Sequence, residues 1–240
     1  MRAHLPLRIL PQPDDTTCGP TCLHAVYDYY GDRVGLPRII DEVAHLEEGG
    51  TLGVLLGNHA LRRGYHVAMY TYNIQIWDPT WFTTPGVDLA ERLRAQMRHK
   101  KEHKLLIASQ AYLDFLELGG EVRFVDLSRK LIRRLLDAGR PVLTGLSATY
   151  LYRTAREFGR DNKSDDVRGE PAGHFVVLCG YDRERRKVRI ADPLSSNPNA
   201  PSHIYEVNFD RLIGAIFLGN ITYDATLLLV RPTDTEEEKP

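Results

Sequence analysis

Apolar residues recur at helical spacing near the start of the chain. Cys22, Leu23, Val26, Tyr27 and Tyr30 form one stripe while Asp28 stays polar, which predicts a helix from Cys18 through Tyr30, closed by Gly31. Gly19 and Pro20 suit its first turn, where a missing N–H costs nothing and proline's φ is already helical. Residues 36–46 and 51–63 read as two more helices, the second with Thr51 as N-cap and Gly64 as stop. Aromatic and branched residues over 65–72 predict a strand, followed by a Pro-, Thr- and Trp-rich loop over 77–86. A charged helix from 88 to about 103 and an apolar one over 105–118 follow, broken by Gly119-Gly120.

The second half changes character. Residues 121–126 and 141–146 read as strands around a helix over 128–138, with Ser128 as its cap and Gly139 as its exit. A polar loop spans 150–172, and strands are expected over 174–181, 187–191 and 226–230, with a loop over 193–201 and a short helix from Phe209. Mostly helical first, strand-rich second, this order predicts an α+β fold: one domain over 1–231 in two lobes, with a helical insertion over about 36–120. Residues 232–240 read as a disordered acidic tail.

Composition narrows the function. With 240 residues, 42% of them hydrophobic, the chain can bury a sizeable core. Its 31 Lys and Arg nearly cancel its 32 Asp and Glu, so no overall field draws it to nucleic acid or to anionic lipid. No stretch approaches the roughly 18 apolar residues of a membrane span, and the N-terminus has no apolar signal core. Three cysteines, two of them one helical turn apart, are too few for a disulfide framework, so reduced thiols and a cytoplasmic location are expected.

Cys18, at the predicted start of a buried helix, is the sharpest chemical signal. Unpaired N–H groups and the macrodipole there favour a thiolate, the nucleophilic form. Taken alone, a helical cysteine reads more readily as a small core residue. His174 to Pro193 changes the balance, because it forms two apolar runs around a charged turn and predicts a β-hairpin. A turn centred on Glu184 makes opposed residue numbers sum to about 368, which sets Asp192 across from Val176 and diagonal to His174 on one face. Such a pair has Cα atoms about 7–8 Å apart, within reach of a His–carboxylate hydrogen bond. A one-residue slip would separate them, and the same parity turns Cys179 away from His174 into the core. The carboxylate would fix the imidazole tautomer, and Gln12, six residues before Cys18, can fold back to share an oxyanion with the Cys18 N–H.

Gln12, the Cys18-Gly19-Pro20 turn, the strand Gly173-His174-Phe175-Val176-Val177 and the strand end Ile190-Ala191-Asp192-Pro193 resemble the C39-like cysteine peptidases, a branch of the papain-like superfamily. The resemblance implies a papain-like fold with Cys18 as nucleophile, His174 as base, Asp192 as its orienter and Gln12 in the oxyanion hole. It also implies a peptide or amide substrate and no cofactor or metal. Family members best known for cleaving leader peptides are domains of export transporters, and this chain differs from them in the longer stretch between Tyr30 and Glu121.

Three rivals stand beside that reading. His99-Lys100-Lys101-Glu102-His103 matches an H-x-x-E-H zinc-peptidase pattern, although Arg98 and Lys104 crowd it with further positive charge. A papain-like scaffold that binds a peptide or partner without turnover is the second. The third is acyl transfer, in which an amine rather than water resolves a Cys18 thioester.

Overall fold

A computed structural model of the chain describes residues 2–47, 49–159, 161–198 and 202–233. In chain order the elements are β1 (Arg2–His4), α1 (Cys18–Tyr29), α2 (Leu36–Glu42), α3 (Gly53–Arg62), β2 (His66–Thr71), α4 (Thr80–Thr83), α5 (Leu89–His99), α6 (His103–Glu117), β3 (Glu121–Arg123), α7 (Arg129–Asp137) and β4 (Val142–Ser147). Then come α8 (Ala148–Tyr152), β5 (Glu157–Phe158), β6 (Lys163–Ser164), β7 (Gly173–Asp182), β8 (Lys187–Ala191), β9 (Ile204–Asn208), α9 (Phe209–Leu218), a 3-10 turn (Gly219–Thr222) and β10 (Thr226–Arg231).

The main sheet runs β3-β2-β10-β4-β7-β8-β9, with β1 added on β7, while β5 and β6 form a separate hairpin. Its pairs are antiparallel except β2 with β3, whose parallel register needs the long crossover that α4, α5 and α6 supply. Every residue of β4 and all but the first of β7 are buried, so both faces of the sheet centre are covered. Helices α1 and α3 lie against the Phe175 ring, and α7 and α9 pack on β4.

Several expectations are corrected. Strands β2 and β3 fall in the stretches expected over 65–72 and 121–126, while β1, not read from the sequence, adds to the sheet on β7. Helix α5 ends at His99 because the backbone is extended at Lys100, with φ −87° and ψ 141°. His99 and His103 therefore stand on different helices rather than one turn apart, and the H-x-x-E-H pattern loses its geometry. Within the loop over 77–86, Trp77 is fully buried against Trp81, Phe82 and Tyr112, while Asp78 to Thr80 and Thr83 to Gly86 stay exposed. Thr51 does not cap α3; its hydroxyl donates to the Ala44 carbonyl instead. Residues 234–240 of the expected tail lie outside the described residues.

The β7–β8 ribbon meets its expected register by an unexpected route. Its turn pairs Asp182 with Lys187, Tyr181 with Val188 and Gly180 with Arg189, one residue off the expected register. A bulge at Cys179 then shifts the ladder, so that Leu178 opposes Ile190 and Val177 opposes Ala191. Continued one step, that ladder sets Asp192 across from Val176, on the face of His174. Without the extra residue the two would lie on opposite faces.

Candidate active site

Helix α1 begins at Cys18 and is pressed against the sheet. A Cβ on Gly19 would stand 2.7 Å from Thr51 Cγ2 and 3.3 Å from the Phe175 ring, so only glycine allows this approach. Cys22 Sγ donates to the Phe175 carbonyl at 3.2 Å, which fixes the helix one residue from His174. The N-terminus of α1 carries no side-chain cap, because the Thr17 hydroxyl donates to the Asp14 carbonyl. Among the described residues the Cys18 N–H has no acceptor, and Cys18 itself is half-buried.

His174, the second residue of β7 and at the strand end away from the β7–β8 turn, is buried at 7% exposure and donates from Nε2 to Asp192 Oδ1 at 2.9 Å. A carboxylate accepts only, so Nε2 carries the proton and Nδ1 is the ring nitrogen not engaged by Asp192. Burial alone would lower the imidazole. Its interactions with Cys18 and with Asp192 outweigh burial and raise the group to about 10.

Asp192 is fully buried, which works against its charge. Five donors compensate. Oδ1 accepts from His174 Nε2 and from Leu194 N–H at 3.0 Å, and Oδ2 accepts from Tyr205 Oη at 2.6 Å, Tyr152 Oη at 2.7 Å and Asn197 Nδ2 at 3.0 Å. The hydrogen bond and charge of His174, with the Tyr205 hydroxyl, hold the carboxyl below its ordinary range. In turn, burial and the carboxylate push both phenols far up, so they remain donors. The Tyr152 ring also leans on the imidazole, with centroids 6.0 Å apart.

Gln12 is anchored to the same assembly. Its N–H donates to the Pro193 carbonyl at 2.9 Å, tying the loop before Cys18 to the chain just after Asp192. Its Nε2 donates one hydrogen to the Asp14 carbonyl at 2.9 Å, and its Oε1 is buried without a partner. Nearby, Asn162 Nδ2 lies 3.5 Å from Asp15 Oδ2 in the loop before Cys18. Burial and the charge of Asp15 raise the Glu157 carboxyl, while His174 lowers it.

His174 and Asp192 thus meet in a hydrogen bond, Cys18 starts the helix tied to Phe175 beside them, and Gln12 is joined to Pro193 through its backbone while its side chain turns to Asp14. Tyr152, Asn197 and Tyr205 escaped notice. Tyr205 belongs to β9, whose alternation Ile204-Tyr205-Glu206-Val207-Asn208 was a legible strand signal. Tyr152 and Asn197 sit in segments read only as loops. Among the described residues no group of three or more His, Cys, Asp or Glu side chains is placed to hold a metal ion.

Comparison with known proteins agrees with this architecture. A structure described as a C39-like peptidase from Bacillus anthracis has a TM-score of 0.52 at 15% identity, with 100% of each chain covered. The peptidase domain of Streptococcus ComA, a bifunctional ABC transporter, gives 0.44 at 14% identity, covering 95% of this chain and 99% of that one. Xylellain, a cysteine protease from Xylella fastidiosa, gives 0.45 at 14% identity, with 97% and 86% covered. No curated protein sequence matches the chain. The fold is the mixed α/β fold of C39-like, papain-like peptidases. The profile of the Peptidase_C39 like family matches residues 4–212, most of the chain, and the protein belongs to that family.

Proposed function

We propose that the protein is a cysteine peptidase or amidase that works through Cys18, His174 and Asp192. The observation that carries the reading is the buried His174–Asp192 hydrogen bond, held by the Cys22–Phe175 contact beside the uncapped, cysteine-bearing start of α1. In the proposed reaction the Cys18 thiolate attacks the substrate carbonyl carbon, and a C–S bond forms as the C=O pair moves to oxygen. His174, already protonated, gives its proton to the departing nitrogen as the C–N bond breaks, leaving a thioester and a neutral imidazole. That imidazole then takes a proton from water, whose oxygen attacks the thioester and releases the acid. Asp192 holds the ring and stabilises its charged form.

The free N–H of Cys18 and the second N–H of Gln12 Nε2 supply the oxyanion donors in this scheme, each worth about 3–4 kcal/mol when well placed. The substrate is a peptide or another amide, entering beneath the segment 153–172. Free thiols at Cys18, Cys22 and Cys179 fit a reducing, cytoplasmic setting, and among the described residues no helix is long and apolar enough to cross a membrane. The test is turnover of a mixed peptide and amide library followed by mass spectrometry. Cleavage by the native chain that disappears in Cys18→Ala supports the proposal; cleavage retained by Cys18→Ala refutes it, and binding without cleavage points to a scaffold.

A further inference from the structure

At the sheet end remote from His174, α7 and the β7–β8 turn enclose a groove of about 440 Å³ lined by Lys130, Arg133, Arg134, Asp137, Tyr181 and Arg183. Lys130, Arg133 and Arg134 are spaced three and four residues apart, so they share one helix face. Arg183 faces them from the turn. Neighbouring arginines are neutralised, Arg129 by Asp210 and Arg185 by Glu206. Among the described residues these four cations have neither an ion-pair partner nor a side-chain hydrogen bond. The one carboxylate in the groove, Asp137, already accepts from Tyr181 Oη at 2.7 Å. A chain with a net charge of −1 thus concentrates unpaired positive charge in one place.

We propose that this groove is a docking site for an acidic polypeptide segment of a partner, rich in Asp or Glu. Two features select that chemistry. The cations are spread along α7 from Lys130 in its first turn to Arg134 in its last, with Arg183 opposite, a spacing that separate carboxylates can match one by one and a compact dianion such as phosphate cannot. Its one aromatic residue, Tyr181, is buried in the floor, so nucleic-acid bases have no ring to stack on. Tyr181 lies seven positions along β7 from His174, roughly 23 Å at strand rise, so docking there leaves the cysteine cleft open. The site does not depend on the proposed chemistry.

The test is fluorescence anisotropy of a labelled oligo-glutamate peptide against the full chain at low and physiological salt, with oligo-glutamine as the reference probe. We expect binding that weakens with salt and drops at least tenfold in Arg133→Glu/Arg134→Glu. The separate pair Lys130→Glu/Arg183→Glu should reproduce the loss, with folding of each variant checked by circular dichroism. Arg92→Glu/Arg94→Glu, the same charge change on exposed residues of α5, should bind as the native chain does. Four outcomes overturn the proposal: no binding above oligo-glutamine; equal weakening by the α5 variant; tighter binding of a single-stranded oligonucleotide of equal charge; or binding seen only when Asp234, Glu236, Glu237 and Glu238 are all made amides. The last would mean that the groove serves the chain's own acidic residues.

Discussion

Asp192 gathers five donors on two oxygens, and this load explains how a buried carboxylate stays charged beside His174. Its charge helps to raise His174 to about 10, so the sign of its removal is fixed. In Asp192→Asn the imidazolium loses a favourable neighbour, and the alkaline limb of kcat/KM should move to lower pH while the rate falls by up to about 10⁴-fold. A limb that stays in place would mean that Asp192 does not act through His174. Tyr205→Phe removes one donor from Oδ2 and should cost about 1.5–3 kcal/mol in urea unfolding, the worth of a hydrogen bond to a charged group. Gln12→Ala should lower kcat by about 10²–10³-fold with KM little changed, and a loss confined to KM would remove Gln12 from the oxyanion role.

At the scale of elements, the site depends on how α1 meets β7. The contact at Gly19 leaves no room for a methyl group beside Thr51, so Gly19→Ala should destabilise the fold by about 1–3 kcal/mol and reduce turnover with it. A variant as stable and active as the native chain would show that α1 has slack. The bulge at Cys179 is the second device, because it brings Asp192 onto the face of His174. Cys18, His174 and Asp192 were legible in the sequence because each stands at the end of a strongly patterned element. The register of the hairpin was legible only near the site: a bulge leaves no mark in an apolar run such as Val176-Val177-Leu178-Cys179, where either parity is buried. Tyr152 and Asn197 could not be found, since what brings them to Asp192 is the folding of two loops and not any periodicity.

Across the whole molecule, the α+β class was readable from the order of helical and strand-like segments, but the strand order was not. The short β1 and β3 carry no period of their own, and β10 between β2 and β4 is a long-range pairing that local pattern does not encode. That central region buries Asp224, whose carboxyl burial raises to about 7 against the Gly53 N–H and Lys104. A folded-state value above the unfolded one favours the protonated carboxyl, so stability falls as pH rises from about 4 to about 7. Asp224→Asn should therefore gain stability over the native chain as pH rises through that window, read as a growing Tm difference; a constant difference would contradict the assignment. The account's central claim is a Cys18 thiolate maintained by His174, and the most direct measurement is the rate of iodoacetamide labelling at each of the three cysteines across pH, followed by peptide mapping. The account predicts that Cys18 is modified first and already below neutral pH, and that this advantage disappears in His174→Ala; labelling of Cys18 no faster than Cys22 and Cys179 would contradict it.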